Sequence, residues 1–101
     1  MTVLASTPRG IFEVNDWANV NASGTASGVA GPLVLSRVVI NGGTLGSLTI
    51  RDGLDASGGN VLATIAAPSA GNVFWYDAFC NNGISIFASA ATDLTYVYKK
   101  I

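Results

Sequence analysis

The chain has 101 residues, half of them apolar and only 11% charged, against about 25% charged in typical soluble domains. That balance excludes a disordered chain, and the length suits one domain built around one core. The net charge of −1 includes five scattered basic residues, Arg9, Arg37, Arg51, Lys99 and Lys100, so the clustered Lys/Arg of a nucleic-acid binder is missing and no nucleic-acid partner is expected.

Residues 1–10, MTVLASTPRG, read as an extended N-terminal arm. Pro8 and Gly10 punctuate it, while Val3 and Leu4 give it apolar surface to bury. It lacks the charged start and long apolar run of a signal peptide. No stretch approaches the ~20 apolar residues of a membrane helix. With a lone cysteine as well, these features predict synthesis in a reducing cytoplasm and no membrane partner.

Residues 11–17, IFEVNDW, alternate and predict a first strand. Residues 19–31 are small and polar, and predict a long loop with a weak edge strand near 26–30. Residues 33–40, LVLSRVVI, predict a strand that ends in a turn at Asn41-Gly42-Gly43. Strands are expected at 47–52 and 61–65, separated by the loop DGLDASGGN. After a connector at 68–71 comes an aromatic strand, residues 72–80, NVFWYDAFC. Asn81-Asn82-Gly83 turns the chain into a strand at 84–89, and residues 90–93 connect it to a last strand at 94–99.

This pattern predicts an all-β fold: residues 11–101 as a single antiparallel β-sandwich, jelly-roll-like, of seven to eight short strands. The expected core is Val38, Ile40, Leu48, Ile50, Ala63, Ile65, Phe74, Phe79, Ile84, Ile86 and Val97. In the last strand Leu94, Tyr96 and Tyr98 form one row and Thr95 and Val97 the other, and the pattern does not choose which row faces inward.

Catalytic chemistry finds few candidates. The chain has no histidine, the commonest general base and metal ligand. Cys80 has no such base to activate it, and reads as a small buried hydrophobe. Asp52 and Asp55 lie in a Gly-rich loop without Ca²⁺-loop spacing, and read as turn residues capping their own turn. No enzyme activity, metal or cofactor is expected. Trp17, Trp75 and Tyr76 are candidates for a subunit interface together with core packing, or for a glycan platform; the first reading is preferred.

From Val38 onward the sequence contains Thr49-Ile50-Arg51-Asp52-Gly53, then Leu62-Ala63-Thr64-Ile65, Asn82-Gly83-Ile84, and Thr95 to Tyr98. In order and spacing these resemble a group of small tailed-bacteriophage virion proteins. The resemblance covers about the last 65 residues and leaves the first 37 uncovered. It implies a head decoration (cement) protein on the capsid exterior. Its partners would be the major capsid protein and neighbouring copies of itself, with a homotrimer favoured. In that setting Val3, Leu4, Pro8 and Arg9 of the arm are candidate capsid or subunit contacts. The alternative is a carbohydrate-binding or host-attachment module of a head or tail fibre.

Overall fold

Two runs that the sequence presents as separate strands, residues 84–89 and 94–99, form one. No Gly or Pro lies between Ile84 and Lys100 to reverse the chain. The computed structural model describes residues 15–54 and 59–101. These form six strands: β1 (Asp16–Ala30), β2 (Leu33–Gly43), β3 (Leu48–Asp52), β4 (Asn60–Ile65), β5 (Val73–Cys80) and β6 (Gly83–Lys100). There is no helix among the described residues. Not all of these strands are short: β1 and β6 run for 15 and 18 residues. Residues 1–14 lie outside the described residues, and with them the arm and most of the expected strand at 11–17.

All pairings are antiparallel, in the order β4-β3-β6-β2-β5, with β1 along β6. The sheet curls into a half-barrel. β6 is its spine. β1 follows one side of it from Asp16↔Tyr98 to Ala30↔Gly83. On the other side β3 pairs with Ser85 to Ala88, and β2 with Thr92 to Lys100. Between these two partners β6 bulges, since Ala22 faces Thr92 while Gly24 faces Ala88.

The β2–β3 connection stitches this bulge. Thr44 N donates to Ala91 O at 2.7 Å, Ser47 N to Ser89 Oγ at 2.8 Å, and Ser89 N to Ser47 O at 3.0 Å. The buried Thr92 hydroxyl accepts from Gly46 N at 3.3 Å and donates to Ala90 O at 3.0 Å. These bonds give partners to several polar groups of the irregular strand, as burial demands.

The small-residue stretch becomes strand because β6 offers it a ladder, interrupted by two register shifts, and its lack of bulk is needed there. At Gly28 a Cβ would meet the carbonyl of Ile84 and the hydroxyl of Tyr96. The expected turn at residues 41–43 is instead the end of β2, where Gly42 and Gly43 pair with Asp93 and Thr92.

Val38, Ile40, Leu48, Ile50, Ile84 and Ile86 are buried as expected, with Ala63, Ile65 and Phe74 packed against them. Leu33, Leu35, Cys80, Ala88, Leu94 and Tyr96 complete the core. Leu94 and Tyr96 decide the face of the last strand. Val97 lies on the other face, yet is covered to 8% exposure. Phe79 is a correction: it is 58% exposed, while its neighbour Cys80 is fully buried. Successive strand residues point to opposite faces, so Cys80 pointing inward sends Phe79 outward.

Candidate interaction surface

The register of four strands, with an irregularity at Ser36 of β2, places one row of side chains across the outer face. Trp17 of β1 is opposite Val97 of β6, which is opposite Arg37 of β2, which is opposite Trp75 of β5. Trp17 is 69% exposed and Trp75 65% exposed. The Arg37 guanidinium carbon lies 5.0 Å from the Trp75 ring centroid, within cation–π range. Lys99, Val34 and Phe79 form the row on one side of it; Asn19, Thr95, Val39 and Val73 form the row on the other. Phe79 and Val73 are exposed. Clustered exposed apolar side chains on one sheet face are the usual mark of an interaction surface.

A polar clip borders this face. Asn19 Nδ2 donates to Asp93 Oδ1 at 2.8 Å and to Leu94 O at 2.9 Å. Asn41 Nδ2 donates to the same Asp93 oxygen at 3.1 Å and to Thr95 Oγ1 at 3.0 Å. The hydrogen bonds from Asn19 and then Asn41 hold the Asp93 carboxyl below its ordinary range. A carboxylate depressed in the folded state stabilises fully above its unfolded pKa, about 3.9, and loses that contribution as pH falls through the folded value. The melting temperature is therefore expected to fall more steeply below pH 4 in the native chain than in Asp93→Asn, as followed by circular dichroism melts.

Asp52 also serves a turn distant in sequence. It reaches from the end of β3 to the β5–β6 turn, where it accepts from Asn81 N at 3.2 Å and from Asn82 N at 2.8 Å. Hydrogen bonds to a charged partner are stronger than neutral ones. Asp52→Ala is expected to lower stability by about 1–2 kcal/mol, read from urea unfolding, with Asp52→Asn losing less.

Tyr76 is separated from the two tryptophans. It is half-buried, packs against the core and has a phenol raised by burial. Trp17 and Trp75 share a face at opposite edges of the four strands, three strand spacings or about 14 Å apart. Cys80 is buried, and burial first, then the nearby Asp52 charge, raise its thiol pKa. It is poorly suited to act as a nucleophile or to form a bond with another chain. Among the described residues no cavity and no metal-binding cluster occurs, and no helix is long and apolar enough to cross a membrane. Val3, Leu4, Pro8 and Arg9 lie outside the described residues.

The sequence pointed to Trp17 and Trp75 but missed Arg37, Phe79, Val73 and Val97. The signal was present in NVFWYDAFC: residues 73, 75, 77 and 79 share one face if alternation holds throughout. Asp77, at φ 48°, sits in a bulge that preserves this order, a conformation Asp tolerates better than most residues.

No protein-family model and no curated protein matches the sequence. Among solved structures the chain is similar to one from the Bacillus endospore appendages that form a novel family of disulfide-linked pili. The TM-score is 0.53 at 15% identity, over 87% of this chain and 88% of that one. At that identity the likeness is one of fold.

Proposed function

We propose that the chain is a non-catalytic structural subunit acting as one of many copies in a particle, with the outer face of β1, β6, β2 and β5 as its contact surface. The observation that carries this reading is the exposed row from Trp17 to Trp75 with Arg37 stacked on its end. Trp and Arg are the residue types most enriched among the energetically dominant positions of interfaces. The resemblance of the last 65 residues to small phage virion proteins supports reading the particle as a capsid and the role as head decoration. The major capsid protein and further copies of the chain, as a trimer, are then the partners, and the virion exterior the location. We read the curled sheet as a jelly-roll-like sandwich, since side chains from both sides of the β6 bulge enter one core cluster.

Two observations bear on neighbouring readings. The pilus-forming structural neighbour favours a fibre rather than a head as the assembly, while the buried Cys80 argues against disulfide linkage through that residue in this chain. The two exposed indoles favour glycan binding, but they stand about 14 Å apart with no cavity among the described residues. Co-sedimentation with assembled capsids and with free capsid subunits tests the decoration reading. Binding to assembled capsids alone is expected; binding to neither, with a tryptophan fluorescence shift on adding glycan, would replace it with the attachment reading.

A further inference from the structure

We infer that copies of this chain join edge to edge, with the open edge of β5 in one copy pairing antiparallel with the open edge of β1 in the next. This inference rests on the multi-copy reading and names the joint.

Four observations lead to it. First, among the described residues β1 pairs only with β6, and β5 only with β2, so each keeps one unpaired backbone edge. Second, natural edge strands are usually protected by Lys, Pro or bulges. Between Trp17 and Ala22, β1 has no charge, no proline and no register shift, and in β5 the bulge comes only after Val73 to Tyr76. Third, the strands alternate in direction across β1, β6, β2 and β5. Four is an even number, so a copy translated along the sheet presents its β1 antiparallel to β5 without being turned over. Fourth, Trp17 and Trp75 occupy the same row and face at the two edges.

In-row pairing then sets Trp75 beside Trp17 of the next copy and Val73 beside its Asn19. Phe74 comes beside Ala18 on the inner face. Every residue keeps its face, which register in a sheet requires. The two indoles become a cross-strand aromatic pair next to the Arg37 guanidinium. The joint uses two different edges, so it is heterologous: it gives a ring if it closes and a filament if it does not. Each copy would advance the sheet by about 19 Å and turn it by roughly 80–100° through strand twist.

The test uses the full chain in a Cys80→Ala background carrying both Asn19→Cys and Val73→Cys. Within one copy these positions lie at opposite edges, far beyond the ~7 Å limit for a disulfide. Mild oxidation is expected to give a ladder of trimers and larger species on a non-reducing gel, absent from either single variant. Trp17→Lys added to the pair should cut the ladder about tenfold or more by removing the aromatic pair and placing a charge on the edge. Dimers from a single variant at the same yield would show a two-fold joint and overturn the inference. So would a folded, monomeric double variant. If the cysteine pair unfolds the chain, light scattering decides: the native chain should be larger than Trp17→Lys, and equal masses overturn the joint. Particle binding without this cross-link leaves the structural reading standing and removes only the edge joint. The cross-link without particle binding does the reverse.

Discussion

Leu94→Ala is expected to lower stability by about 2.5–4 kcal/mol, in the range measured for buried leucines. Leu94 is fully buried, with Val20 of β1 on one side in its row and Ile40 of β2 on the other. Truncation removes apolar burial and leaves a cavity that flanking strands, fixed by their ladders, can only partly fill. A domain this small has a total stability of about 5–15 kcal/mol, so the loss should cost some 10–25 °C in melting temperature. Phe79→Ala is the control. It removes a larger side chain, but one that is 58% exposed, and should cost less than about 1 kcal/mol. Urea unfolding of both variants checks the difference, and reversed magnitudes would mean that the inner and outer faces have been exchanged.

Trp75→Ala should leave the fold nearly intact and weaken assembly. Its ring is mostly exposed and contacts Arg37, so the stability change should stay within about 1 kcal/mol. Buried against a partner, an anchoring tryptophan costs about 2 kcal/mol or more on truncation, or roughly thirtyfold in affinity. Arg37→Lys should weaken binding less, because it keeps the charge but loses the planar stack. Binding of each variant to assembled particles, measured by co-sedimentation across a concentration series, gives the ratios. A Trp75→Ala chain that binds like the native one would remove this face from the interface.

What could be read in advance depended on how local the cause was. The β-branched alternation of LVLSRVVI and SLTIRD carried its own instruction, and β2 and β3 fall close to where it put them. The continuity of β6 could not be read that way. Residues 90–93 look like a connector until Thr44, Ser47 and Gly46 arrive from the β2–β3 loop to satisfy the bulge. β1 is similar, because a Gly/Ala/Ser run has weak strand propensity and becomes strand only beside β6. Asp52 was legible as a turn residue, but not as the holder of a turn that lies 29 and 30 residues away.

The candidate surface was half legible for the same reason. Tryptophan in a low-charge chain stands out by itself, so Trp17 and Trp75 were found. Arg37, Val97 and Phe79 matter through the register of three other strands, and register is a tertiary property. Phe79 went to the core on hydrophobicity alone, although the period-two pattern around Cys80 pointed the other way.

A reconstruction of the assembled particle by electron cryo-microscopy tests the central claim most directly. The account predicts that the row from Trp17 through Val97 and Arg37 to Trp75 is covered by a neighbouring subunit, with the indoles out of solvent. Density for this chain with that row facing open solvent, and its contacts made elsewhere, would contradict it.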